Sequence, residues 1–271
     1  MTALRRVLAI ALNTYRETVR DRLLSAFVLF ACLLSVLGLL LGSLSVGQDM
    51  RILEDIGLFT IALIGGIIAV FAGTNLVYKE IEHKTIYLIF TKPVTGWQFI
   101  LGKYLGLCLC VLVVVTTMSC FLAVLIFIVP SGQRLESLTG PGLAWLAGMF
   151  SAVFFIYLEL IFVIAVATFF STFATPLMSV LFTLCLWLIA HLGGSLKGLG
   201  ALCPAPLVRN LLSTVYWALP DLESLTRARG YLVANQCVDN ELLTFLSCYI
   251  SAYVILLLCV SSLITERKEF T

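Results

Sequence analysis

Glu159 and His191 are the side chains in this sequence that most need a chemical explanation, because each lies within a long apolar stretch. An unpaired carboxylate inside a membrane is costly, so Glu159, with Tyr157 nearby, should face protein or water, be protonated, or pair with another group. If the two stretches are neighbouring helices, a rise of about 1.5 Å per residue puts Glu159 and His191 at depths that differ by roughly 5 Å. That separation allows a direct or water-bridged contact. A site on a transport path and a polar clamp between helices are equally good interpretations.

The motifs of common enzymes are absent from the sequence. It contains no G-x-x-x-x-G-K-[ST] phosphate loop, so the chain should not itself bind and hydrolyse ATP in that way. It also lacks the HExxH and G-x-S-x-G motifs and a pair of intramembrane aspartates for a proteolytic dyad. The two histidines, His83 and His191, are too far apart to predict a zinc or haem site. We therefore expect a non-enzymatic protein with no cofactor and no metal in this chain.

The cysteines give one candidate for a covalent link. Seven of the nine lie inside apolar runs, where they serve as small packing residues. Cys203 and Cys237 lie in the longest segment between apolar runs, and they could form a disulfide if that segment faces an oxidising compartment.

The composition is that of an all-α polytopic membrane protein. Of the 271 residues, 61% are hydrophobic and 12% are charged, about half the share of roughly 25% that soluble domains carry. The apolar residues form runs of about 20 or more, the length that crosses a bilayer. The net charge of +2, without a basic patch that includes aromatic residues, argues against nucleic-acid binding. An ordinary water-soluble enzyme is excluded.

Six transmembrane helices are predicted within a single domain of residues 1–271. They cover about Leu23–Val46, Leu58–Tyr78, Tyr104–Val129, Leu143–Phe170, the stretch from Pro176 to near Gly194, and Leu242–Ile264. The short Ser171–Pro176 connection makes the fourth and fifth helices antiparallel neighbours. Gly65, Ala69 and Gly73 give the second helix a stripe of small residues that favours close helix packing.

The distribution of basic residues predicts that both termini lie in the cytosol. In that orientation 11 of the Lys and Arg residues are cytosolic and six are external, as the positive-inside rule requires.

Two segments outside the spans are predicted to lie at the membrane surface. Residues 1–22 form an interfacial helix rather than a cleaved signal peptide, with a frayed cytosolic tail as the alternative. Its apolar stripe consists of Leu4, Leu8, Ala11, Tyr15 and Val19. In the external segment Ser195–Glu241, an amphipathic stripe from Val208 to Leu219 predicts a helix on or re-entering the outer leaflet, anchored by Tyr216 and Trp217. A short soluble cap is the alternative there.

The connection from Lys79 to Lys103 is the most structured cytosolic feature. A helix opens with Lys79, Glu80, Glu82, His83 and Lys84, in which Glu80 and Lys84 have i, i+4 spacing. Pro93 ends that helix, and the capping-box spacing of Thr95 and Gln98 predicts a new helix from Gly96 or Trp97. A rigid docking surface and an ordinary loop anchored by aromatic residues explain this pattern equally well.

This layout resembles the membrane subunit of type-2 ABC exporters over essentially the whole chain. The resemblance rests on the interfacial N-terminal helix, the six spans and their orientation. It also rests on the passages Val77–Ile86, Lys92–Val94, Leu101–Gly106 and Leu219–Glu223.

The resemblance implies a partner and a division of labour. Such permeases form dimers, with a second copy or a paralogue, and each subunit binds a separate cytosolic ATPase that holds the ATP and Mg. On this chain Lys79–Lys84 and the turn formed by Pro93, Thr95 and Trp97 would contact the ATPase, and Thr14–Arg22 would flank it. The resemblance implies a bacterial inner membrane and leaves open whether the substrate is a lipid, glycan, peptide or drug.

Two other functions are compatible with the sequence. A proton-coupled secondary transporter would use Glu159, although the spans show no obvious inverted repeat or pair of broken helices. A non-transporting membrane scaffold would anchor a larger assembly through the external segment.

Overall fold

Eight α-helices form the part of the chain that the computed structural model describes, which comprises residues 3–43, 49–82, 95–128, 141–193, 214, 220–233 and 240–269. The helices are α1 (Ala3–Val19), α2 (Arg22–Ser43), α3 (Asp49–Glu82), α4 (Gly96–Ile128), α5 (Pro141–Ser171), α6 (Pro176–His191), α7 (Leu222–Val233) and α8 (Asn240–Glu269). These residues include no β-strand, and the predicted all-α class is confirmed.

Within the described ranges, five helices are long and apolar enough to cross a membrane, namely α2, α3, α4, α5 and α8. The fifth predicted span is present as the shorter apolar helix α6, which has 16 residues. At about 1.5 Å per residue, α6 is roughly 24 Å long, less than the hydrocarbon thickness of about 30 Å. The structure therefore supports five candidate membrane spans, and the crossing by α6 stays a prediction.

Helix α3 is longer than the hydropathy pattern predicted. It begins at Asp49 rather than Leu58 and continues through Lys79 and Glu80 to Glu82. The predicted new helix at Lys79 is thus the last part of the same helix that carries the second span. Charged residues lower the hydropathy at both ends of α3, so the predicted span was shorter. Residues 49–82 contain no proline that would interrupt the backbone hydrogen bonds, so the helix continues.

Helix α5 is the centre of the bundle and contacts α3, α4, α6, α7 and α8. Its close packing on α3 depends on two of the small residues that the sequence singled out. A Cβ atom at Gly65 would lie 2.7 Å from Leu160 Cδ1, and one at Gly73 would lie 2.5 Å from Ala167 Cβ. The predicted close packing of the second span is confirmed.

Helix α1 packs along the first turns of α4, where Gly102 and Gly106 allow close approach to its backbone. The residues of the predicted apolar stripe differ in exposure. Ala11 is buried where α1 packs on Gly106 of α4, whereas Leu4 and Leu8 are exposed. Part of the stripe therefore packs on protein, and part of it is directed outward.

A tight turn joins α5 to α6, as the sequence predicted. The N–H of Ala174 donates to the carbonyl of Phe170 at 2.9 Å, and the N–H of Ser179 donates to the carbonyl of Thr175 at 2.8 Å. The two helices contact each other, and the Ser179 hydroxyl donates to the carbonyl of Ala167 at 3.5 Å. Helices α5 and α6 are therefore antiparallel neighbours.

Helix α7 was not predicted. It begins after Asp221, whose carboxylate accepts a hydrogen bond from the N–H of Ser224 at 3.2 Å. Leu222, Leu225 and Ala228 are buried, and the helix packs on α5 and α6. The N-capping aspartate and this i, i+3, i+6 spacing were the available signals. The amphipathic helix predicted for Val208–Leu219 lies outside the described residues.

Candidate functional site

The carboxylate of Glu159 is the centre of a buried polar cluster. Glu159 is 1% exposed, and the indole N–H of Trp187 donates to its Oε1 at 3.1 Å. The Nε2 atom of His191 lies 3.3 Å from the same oxygen. Arg229 Nη1 lies 4.0 Å from Oε2. We call Glu159, Trp187, His191 and Arg229 the Glu159 cluster; it joins α5, α6 and α7.

The ring of Trp187 positions the cluster against a fourth helix. A Cβ atom at Gly66 of α3 would lie 2.6 Å from Trp187 Cη2, so the indole occupies the space that a side chain at position 66 would fill. The rings of Trp187 and His191 meet edge to face, with centroids 5.5 Å apart. This packing restricts the indole and holds its N–H on Glu159.

The sequence indicated half of this cluster. The structure brings together Glu159 and His191, as the depth estimate allowed. Trp187 and Arg229 were missed. Trp187 precedes His191 by one helical turn and therefore lies on the same face of α6, which was a readable signal. Arg229 lies on the helix that was not predicted.

Arg229 supplies a buried positive charge. Its side chain is 12% exposed, and burial lowers the pKa of Arg229 while the carboxylates of Glu159 and Asp55 act in the opposite direction. A buried charge is tolerated only when paired. Glu159 and Arg229 therefore stabilise each other within the bundle and connect α7 to α5.

Tyr157 is not part of the Glu159 cluster, although it is near Glu159 in sequence. Its hydroxyl donates to the carbonyl of Cys108 on α4 at 3.2 Å. In return, the hydroxyl of Tyr104 on α4 donates to the carbonyl of Ile161 on α5 at 3.3 Å. The pair forms a reciprocal link between α4 and α5.

Removing either tyrosine hydroxyl should lower the free energy of unfolding by about 1 kcal/mol, the usual net contribution of one such hydrogen bond. The variants are Tyr104→Phe and Tyr157→Phe, measured by denaturation of the purified protein in detergent. Tyr231→Phe, at a side chain that is 52% exposed, is the matched control and should change little. Equal effects for all three variants would contradict a specific role of the α4–α5 link.

The residues predicted to contact an ATPase are described in part. Helix α4 begins at Gly96, as predicted, and the carbonyl of Thr95 accepts hydrogen bonds from the N–H groups of Gln98 and Phe99 at 3.0 and 3.2 Å. The Gln98 half of the capping box is not formed, because the buried Oε1 of Gln98 has no hydrogen-bond partner in this part of the structure. Trp97 is 39% exposed.

The other predicted site residues are placed less completely. Lys79, Glu80 and Glu82 lie in the last turns of α3. His83, Lys84, Pro93, Cys203 and Cys237 lie outside the described residues, so the proposed disulfide stays a prediction. Within the described ranges, no group of three or more His, Cys, Asp or Glu side chains could hold a metal ion.

One comparison with known proteins covers almost the whole chain. The family model described as ABC-2 family transporter protein matches residues 8–266. No curated protein matches the chain.

Proposed function

Because the chain belongs to the ABC-2 family of transporter proteins, we propose that it is the permease of an ATP-driven ABC exporter that works with a separate cytosolic ATPase. It is a multi-pass membrane protein with several apolar helices of spanning length. In this proposal it forms a dimer with a second copy or a paralogue. It lies in a bacterial inner membrane with both termini in the cytosol.

The arrangement of α1, α3 and α4 at one end of the bundle supports coupling to an ATPase. Helix α3 ends at Glu82, and α4 begins at Gly96, at the end of α4 where α1 packs on Gly102 and Gly106. Helices α3 and α4 also contact each other. A force on residues 83–95 would act directly on α3, which continues without a break into the core beside α5.

The interface should be sensitive to changes in the α3–α4 connection. We expect Glu80→Lys and Pro93→Leu to leave the protein abundant in the membrane but to weaken its association with the ATPase. Reversing a buried, paired charge at an interface costs about 2–5 kcal/mol, and a charge at the rim mainly changes the salt dependence. The measurement is co-purification of the ATPase over a salt series, together with substrate-stimulated ATP hydrolysis.

Glu241→Lys is the matched control, because Glu241 is an exposed residue in the first turn of α8, in the segment predicted to be external. It should leave association unchanged. Full ATPase binding and full stimulation in both Glu80→Lys and Pro93→Leu would contradict the docking role and favour the scaffold alternative.

The contacts of Glu159 support a clamp rather than a proton-coupled transport site. Oε1 lies within hydrogen-bonding distance of Trp187 and His191, and Oε2 lies near Arg229. A carboxylate that is 1% exposed and surrounded in this way is poorly placed to exchange partners with a passing substrate. We therefore propose that Glu159 stabilises the bundle and does not bind the transported substrate.

A further inference from the structure

The neighbours of the two His191 ring nitrogens bear on where its protons lie. Nδ1 is 3.1 Å from the backbone carbonyl oxygen of Trp187. A carbonyl oxygen only accepts hydrogen bonds, so this contact is a hydrogen bond in the form of the ring that carries a hydrogen on Nδ1. A neutral imidazole has one N–H, and with that hydrogen on Nδ1 the other nitrogen, Nε2, would present a lone pair.

That lone pair would face a carboxylate oxygen, since Nε2 lies 3.3 Å from Glu159 Oε1. Two acceptors at this distance repel each other, so the pair needs one more proton. Oε1 already accepts the Trp187 N–H, and the Arg229 guanidinium lies 4.0 Å from Oε2. Both neighbours present a donor or a positive charge to the carboxylate. The extra proton therefore belongs on Nε2.

We propose that His191 is held as an imidazolium, and that its hydrogen bond to Glu159 forms a proton-dependent latch that fastens α6 to α5. The latch lies outside the proposed coupling to an ATPase and does not depend on it. Loss of the proton on Nε2 would set a lone pair against the carboxylate and loosen the contact of α6 with α5.

A protonated His191 ring would share the Glu159 carboxylate with the Arg229 guanidinium, on which the carboxylate of Asp55 of α3 also acts. The side chain of His191 is 31% exposed, so its ring can exchange a proton with its surroundings.

Other titratable groups on the helices around α5 have separate partners or positions. On α4, Tyr104 and Cys108 face Tyr157. On α8, Tyr249 lies beside Asp221, and on α7, Arg227 pairs with Asp221 and Glu223. The buried Glu54 precedes Asp55 on α3.

The protonation state of His191 can be observed directly, because the chain has two histidines and His83→Gln leaves one. In that background, nitrogen NMR of protein labelled with ¹⁵N-histidine should show both ring nitrogens protonated at neutral pH. Adding Glu159→Gln should return the ring to the neutral form with its hydrogen on Nδ1. A neutral ring in the His83→Gln protein would overturn the proposal.

The latch itself can be tested by the accessibility of α6. Ala190 is buried and Leu188 is exposed on the same helix, so Ala190→Cys reports opening and Leu188→Cys is the matched control. We expect His191→Phe to raise the ratio of their maleimide-labelling rates at least about tenfold, as for an opening equilibrium that loses a hydrogen bond to a charged group. An unchanged ratio would show that apolar packing alone holds α6, and would overturn the latch. Neither measurement involves an ATPase, so failure here is distinct from failure of the proposed function.

Discussion

Replacing Glu159 with alanine should lower the free energy of unfolding by about 3–5 kcal/mol, the range found when one partner of a buried ion pair is removed. The loss is large because Arg229, at 12% exposure, would remain buried without the carboxylate it faces. Trp187 would also lose the acceptor of its indole N–H. The measurement is denaturation of the purified protein in detergent.

Glu223→Ala is the control for Glu159→Ala. Glu223 lies 3.9 Å from Arg227 in a partly exposed pair on α7, and ion pairs at the surface contribute about 0–1 kcal/mol. The double variant Glu159→Leu with Arg229→Met should recover much of the lost stability, because it removes both buried charges and substitutes apolar side chains. If Glu159→Ala were no more harmful than Glu223→Ala, the Glu159 cluster would have no stabilising role.

Replacing Gly106 with leucine should detach α1 from α4. A Cβ atom at Gly106 would lie 2.5 Å from the carbonyl oxygen of Ala11 and 2.7 Å from Thr14 Cβ. The backbone oxygen cannot move away without moving the helix, so α1 must shift. We expect trypsin to cleave after Arg16 at least about tenfold faster, as for a segment that has lost its packing, and the association with the ATPase to fall.

Gly230→Leu provides the control for Gly106→Leu, because a Cβ atom at Gly230 meets nothing within 4 Å. It introduces the same side chain in a helix without a steric conflict. Gly106→Leu with unchanged proteolysis at Arg16 would show that α1 tolerates displacement, and its packing on α4 would then not determine its position.

The helices were predictable where hydropathy alone determines them. Helix α5 spans Pro141–Ser171, close to the predicted Leu143–Phe170, because its whole length is apolar. Helix α3 begins nine residues before the predicted Leu58, because Glu54 and Asp55 lower the hydropathy without interrupting a helix. Helix α7 was missed for the related reason that its charged residues obscure a short apolar face.

The Glu159 cluster was predictable only in part, for a physical reason. A carboxylate in an apolar stretch is visible from the sequence because its burial is costly, and the tight turn after Ser171 placed His191 near it. Arg229 follows Glu159 by 70 positions on a separate helix. Its approach depends on how α7 packs, which the spacing of residues along one chain does not specify.

The contact between Gly66 and Trp187 limits how this protein can diverge. Because the indole fills the space beside position 66, a lineage that gains a side chain there cannot keep the tryptophan in place. The two positions should therefore change together. Such a paired change would also remove the indole donor from Glu159, so descendants with a larger residue at position 66 would have to retain the carboxylate through His191 and Arg229, or lose it.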